Sequence, residues 1–90
     1  VEGLTKAGAL EAAGSGVRVN AVAPGPVETD MMNRVVGGND DARTAFAASV
    51  PLKRFGAPEE IAQAIVFLGS EKSSYVTGAV LDADGGFGAR

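Results

Sequence analysis

The chain has 90 residues and a net charge of −3; it is 46% hydrophobic and 21% charged, with no cysteine and no histidine. These figures allow one domain at most and exclude disulfide staples, thiolate chemistry, a histidine base and a histidine metal ligand. The eight Lys and Arg residues are scattered, with only Lys53 and Arg54 adjacent. That leaves no basic stripe for nucleic acid and no polybasic membrane anchor.

The longest apolar stretch is far short of the ~20 residues of a membrane span. The opening Val1-Glu2-Gly3-Leu4-Thr5-Lys6 has no signal-peptide layout, so the expected setting is cytoplasmic. It also has no initiator Met and no clear cap, and reads as the interior of a longer polypeptide.

Residues 1–13 favour a helix, being rich in alanine, and Gly14-Ser15-Gly16 supplies its left-handed stop. The small residues Gly3, Ala7 and Gly8 either admit a close helix neighbour or are simply weak helix positions. Residues 17–23, Val-Arg-Val-Asn-Ala-Val-Ala, read as a buried parallel strand. Pro24 ends it, because proline cannot donate to a central ladder. The carboxyl end of such a strand is where open α/β sheets bind ligands.

Thr29 or Asp30 can cap a short helix through about Val36, broken by Gly37-Gly38. Asp40 or Asp41 can cap the next helix, from Ala42 to about Ser49, and Pro51 disfavours helix at Val50. Residues 52–57 form a loop. Pro58-Glu59-Glu60 is a strong helix start. Ile61, Ile65 and Leu68 then recur at helical spacing with Ala62 and Val66 alongside, a stripe expected to bury against a sheet. After Gly69-Ser70, residues 73–78 connect to a second strand at 79–83, and Asp84-Gly85-Gly86 turns out of it. The order is helix, strand, small helices, helix, strand. That predicts an α/β fold with a βαβ unit, without internal repeat, linker or domain boundary over 1–90.

Several motifs fail on their context. Gly14-Ser15-Gly16 precedes a strand, whereas a dinucleotide fingerprint follows one. Asp82-Ala83-Asp84-Gly85 begins like a calcium loop, but Gly86 sits at the third acidic position and the chain ends before the bidentate glutamate. A tyrosine-lysine pair one helical turn apart would need lysine at position 79, which is Ala79; Tyr75 is read instead as a packed aromatic with a wet hydroxyl. Glu59 and Glu60 are capping acids on different helix faces. No set of nucleophile, base and orienting group emerges from these residues, and no metal site.

The segments Val1–Lys6, Gly16–Gly25, Val27–Met31, Arg54–Ala62, Tyr75–Gly78 and Asp84–Gly86, in this order and spacing, resemble the C-terminal part of a short-chain dehydrogenase/reductase. The resemblance covers nearly the whole chain. It implies the last third of a Rossmann-type doubly wound parallel sheet that uses NAD(H) or NADP(H) to move hydride between nicotinamide and a carbonyl or secondary alcohol.

It implies further that the Tyr-x-x-x-Lys pair, the catalytic serine, the structural asparagine and the glycine-rich phosphate loop belong upstream of Val1. On that reading this stretch holds no catalytic residue, Lys6 is not the catalytic lysine, and the piece alone is inactive. Pro24 and Gly25 would lie beside the nicotinamide, and the Val27 backbone and the Thr29 hydroxyl would bond its carboxamide. Residue types alone favour Pro24–Pro26 as a strand terminator and Thr29 as a helix cap; the resemblance favours the coenzyme role.

By the same resemblance residues 31–55 match a substrate lid, with Met31, Met32, Val35, Val36 and Phe46 as candidates to face substrate or to form ordinary core. The helix at 58–69 and the strand at 79–83 match elements used for pairing into a homodimer or homotetramer. The alternative function is a non-catalytic interaction or assembly module on the same fold.

Overall fold

An acidic first turn and an alanine-rich body make helix α1 (Glu2–Ala13), the first element of the computed structural model, which describes residues 2–28, 34 and 40–89. Gly16 stops α1 in the left-handed region (φ 75°), with its N–H on the Ala13 carbonyl at 3.0 Å. Two parallel strands follow, β1 (Ala21–Pro24) and β2 (Val80–Ala83), paired Ala21 to Val80 through Pro24 to Ala83. Helices α2 (Asp40–Ala48) and α3 (Pro58–Leu68) lie between them in sequence, completing the expected βαβ order. Short 3₁₀ turns occupy Glu71–Ser73 and Phe87–Ala89. Of the helix expected between Thr29 and Val36, only Arg34, which is helical, is among the described residues.

Strand β1 begins four residues later than expected, at Ala21 rather than Val17. The cause is the polar side chains in that run. The Val19 N–H donates to the Thr77 hydroxyl (3.1 Å) and the Ala79 N–H donates to the Asn20 side-chain carbonyl (3.0 Å). Side chains thus replace backbone ladder partners before the regular register starts. Arg18 completes the join. Its guanidinium donates to the Ser73 carbonyl (2.9 Å), the Ser73 hydroxyl (3.1 Å), the Val76 carbonyl (3.1 Å) and the Ser70 carbonyl (3.2 Å). Residues 70–79, including buried Ser73, are therefore tied to the strand entry.

Helix α3 turns only part of the expected stripe to the sheet. Ile61, Ala64 and Leu68 are half-buried, while Ile65, Val66 and Phe67 are exposed. A two-stranded sheet covers only one narrow stripe of the helix and leaves Ile65, Val66 and Phe67 exposed. Tyr75, expected to pack, is fully exposed. Leu4 and Leu10 on α1 are also exposed. Among the described residues, the buried apolar ones are Ala9, Val50 and Phe55.

The sheet has open edges. Bonds from the Ala21 N–H to the Ala79 carbonyl (3.0 Å) and from the Gly25 N–H to the Ala83 carbonyl (3.1 Å) aim the odd-numbered residues of β1 at β2. The Val22 N–H and C=O therefore face the opposite edge, where no described strand lies. The radius of gyration is 15.9 Å, against about 12 Å for a compact chain of this length. The accessible surface is 6188 Å², against about 4,900 Å² for a folded monomer of 9.0 kDa.

An open edge beside exposed apolar side chains invites pairing with another chain. The isolated 90-residue chain is accordingly expected to self-associate. Sedimentation velocity over a concentration series should show weight-average mass rising with concentration. A single monomeric species that unfolds in one cooperative step would contradict this.

Candidate functional site

Beyond the last residue of β1 the chain turns through Gly25 and Pro26 and makes one further parallel bridge, Val27 with Gly56. Two bonds define it: the Gly56 N–H donates to the Pro26 carbonyl (2.9 Å), and the Glu28 N–H donates to the Gly56 carbonyl (2.8 Å). In a parallel bridge these bonds flank the central residue, whose own N–H and C=O point the other way. Val27 thus presents one backbone donor and one backbone acceptor side by side, away from Gly56. Neither is engaged among the described residues. The arrangement can receive a primary amide, which offers the matching acceptor and donor.

Gly25 is held tightly, though by its own chain. A Cβ at this position would lie 2.5 Å from Asp84 Cβ and 2.8 Å from Asp84 Cα. Asp84 is in turn fixed by the turn it makes. Its carboxylate accepts from the Gly86 N–H (2.9 Å) and the Gly88 N–H (3.0 Å), and its carbonyl accepts from the Phe87 N–H (3.1 Å). The absence of a Cβ at 25 is explained by this contact between the two strand ends.

Pro24, Gly25 and Val27 are therefore brought together at the carboxyl end of β1. Thr29 lies outside the described residues, as do Met31, Met32, Val35 and Val36. Phe46, the remaining lid candidate, packs on Phe55 with ring centroids 5.6 Å apart. Arg43 on α2 lies over the same ring at 5.1 Å and pairs with Glu28.

A cavity of 460 Å³ opens beyond the strand ends, lined by Pro26 on one side and by Asp82, Ala83 and Asp84 on the other, with Glu60 and Ile61 of α3 at its wall. Pro24, Gly25 and Val27 do not line it.

The electrostatics at the start of α3 are local. The Glu60 carboxylate accepts from both Arg54 guanidinium nitrogens (2.7 and 2.9 Å) and from the Ala57 N–H (2.9 Å). Alanine has no side-chain acceptor to cap the helix, so the glutamate reaching back carries the capping alone. The Arg54 hydrogen bonds, followed by the Ala57 N–H, draw the Glu60 carboxyl down to about 2. The same pairing raises Arg54.

A lowered native-state value means that the stability from these contacts is full above the ordinary carboxylate range, near 4.5, and fades as pH falls from there toward 2. The difference in urea midpoint between wild type and Glu60→Gln is expected to be constant above pH 6 and to shrink below pH 4. A difference that stays constant down to pH 3 would contradict the assignment.

Sequence reasoning did not find Arg18, Asn20, Glu28, Arg43 or Asp84 as organising residues. For Arg18 and Asn20 the visible signal was polarity inside a run that otherwise reads as buried; for Asp84 it was its place in the Asp84-Gly85-Gly86 turn. Among the described residues no helix is long and apolar enough to cross a membrane.

The family model described as enoyl-(acyl carrier protein) reductase matches residues 1–88. A 3-oxoacyl-(acyl-carrier-protein) reductase, FabG, of Thermotoga maritima is 52% identical over 86 residues, covering 96% of this chain and 34% of that protein. The cis-4-hydroxycyclohexanecarboxylate dehydrogenase of Sinomonas cyclohexanicum is 47% identical over 89 residues, covering 99% and 34%. Among solved structures, a short-chain dehydrogenase family protein of Francisella tularensis superposes with a TM-score of 0.88 at 35% identity, covering 99% of this chain and 40% of that one. An Agrobacterium tumefaciens protein assigned as a 2-deoxy-d-gluconate 3-dehydrogenase, solved with bound NADP, superposes with a TM-score of 0.86 at 43% identity, covering 99% and 36%.

The chain belongs to the short-chain dehydrogenase/reductase family, and its α/β fold is the corresponding part of the family's Rossmann-type sheet. It spans about a third of the length of the curated relatives it matches.

Proposed function

We propose that this chain supplies the nicotinamide loop, the substrate lid and part of the oligomer interface of an NAD(H)- or NADP(H)-dependent oxidoreductase acting on a carbonyl or secondary alcohol. The observation that carries the reading is the outward pair of backbone groups on Val27, set at the carboxyl end of a parallel strand. The nicotinamide carboxamide is a primary amide and fits that pair. The relative solved with NADP supports the coenzyme class. When bound, the coenzyme supplies the hydride, and the protein supplies position and electrostatics.

In this reading Val27 orients the amide end of the ring and the Thr29 hydroxyl adds a second polar partner. Pro24 and Gly25 form the corner beside the ring. Helix α2, held against Phe55, excludes water from the reacting atoms. The general acid and the lysine that tunes it belong to the polypeptide upstream of Val1, as in the family pattern. Turnover of NADPH or NADH with a small ketone or a 3-oxoacyl thioester by the full-length protein, and its absence in the 90-residue chain, tests this. A full-length protein that binds neither dinucleotide would overturn it. A cytoplasmic setting fits the same reading.

The uncovered Ile65, Val66 and Phe67 face favours a homo-oligomer contact on α3 alongside this activity. Light scattering of the full-length protein is expected to report a dimer or tetramer.

A further inference from the structure

We propose that Glu28 and Arg43 are positioning residues that latch helix α2 to the coenzyme loop, so that seating the dinucleotide and seating α2 favour one another. The inference rests on the coenzyme reading of Val27 given above. Three features converge on one short segment, Phe55-Gly56. Gly56 bridges Val27 and fixes which way the Val27 backbone points. Phe55, buried, is the surface on which α2 sits, through Phe46 at 5.6 Å and the Arg43 guanidinium at 5.1 Å. Arg43 then closes the circuit by pairing with Glu28, the residue immediately after Val27.

The circuit runs from Val27 to Gly56, along the backbone to Phe55, across to Arg43 and back through Glu28. A shift of α2 pulls on Glu28 and Phe55 together, and both adjoin the bridge that orients Val27. Arginine suits the place, because its flat guanidinium can lie over a ring and still donate to a carboxylate at its edge. The pair is half-exposed, with side-chain exposures of 31% for Arg43 and 43% for Glu28. Its contribution to global stability is therefore small, and its effect is expected in coenzyme affinity rather than in unfolding.

The test is a double-mutant cycle on the full-length protein, titrating NADPH and NADH by fluorescence while following thermal unfolding. Arg43→Gln and Glu28→Gln are each expected to weaken the preferred dinucleotide about two- to fivefold. The double variant should be no weaker than Arg43→Gln alone, and the charge-reversed pair Glu28→Arg with Arg43→Glu, which restores the ion pair but not the cation over Phe55, should recover part of the loss.

Single variants with wild-type affinity, a lowered unfolding temperature without an affinity change, or losses that multiply in the double variant would overturn the latch. Multiplying losses would mean that Glu28 acts on the coenzyme independently of Arg43. Arg43→Lys keeps a cation beside Glu28 without the flat group over Phe55, and is expected to fall between. It stands in if Arg43→Gln does not fold, wild-type affinity then counting against the latch. Failure of the wild type to bind either dinucleotide would instead overturn the coenzyme reading itself.

Discussion

Gly25→Ala is expected to destabilise the full-length protein by about 3 kcal/mol, with no coenzyme present, which is at the upper end of what overpacking costs. The added methyl would fall 2.5 Å from Asp84 Cβ, 2.8 Å from Asp84 Cα and 3.2 Å from the Asp84 carbonyl oxygen. These are backbone and near-backbone atoms, which cannot swing aside as a long side chain would. Neither segment is free to retreat. The Gly25 N–H is bonded to Ala83 and its neighbour Pro26 to Gly56, while Asp84 holds the N–H groups of Gly86, Phe87 and Gly88.

Relief therefore costs hydrogen bonds at one strand end or the other. Urea unfolding of the apo protein checks this. An unchanged midpoint, with only coenzyme affinity reduced, would mean that the glycine serves the ring and not the contact with Asp84.

Arg18→Ala is expected to cost about 2–4 kcal/mol. Four acceptors lose a charged donor: the Ser70, Ser73 and Val76 carbonyls and the Ser73 hydroxyl. Hydrogen bonds to charged groups contribute about 1.5–3 kcal/mol, and a buried acceptor left unmet costs about 1–3 kcal/mol. Ser73 is 2% exposed, so water does not replace the guanidinium there. Arg18→Lys keeps the charge on a single nitrogen and cannot span all four acceptors; it is expected to recover less than half of the loss. Chemical denaturation of the three proteins side by side distinguishes these outcomes. A loss below 1 kcal/mol for Arg18→Ala would contradict the clamp.

What could be read in advance follows from where each signal resides. Helices α1, α2 and α3 were legible because their signals are local: a run of alanines for α1, Asp40-Asp41 for α2, and Pro58-Glu59-Glu60 for α3. The left-handed stop at Gly16 was legible for the same reason. Strand β2 was legible as a short apolar run between turns.

The start of β1 was not legible, because Arg18 and Asn20 look like interruptions of an apolar run until their partners more than 50 residues away are known. The buried face of α3 was legible only in Ile61 and Leu68. Periodicity says that a helix is amphipathic, but a two-stranded sheet decides which third of its circumference is covered. At the candidate site the Pro-Gly corner was visible in the residues. The orientation of Val27 was not, since it is set by a bridge to Gly56, and the reason for Gly25 lies in Asp84, 59 positions on.

The central claim is that the Val27 backbone receives the coenzyme's amide, and amide exchange at that one residue tests it most directly. With valine-labelled full-length protein, the Val27 N–H is expected to exchange rapidly without coenzyme and to become protected, with a shifted resonance, when the preferred dinucleotide is added. Tight dinucleotide binding that leaves the exchange and the resonance of Val27 unchanged would contradict the account.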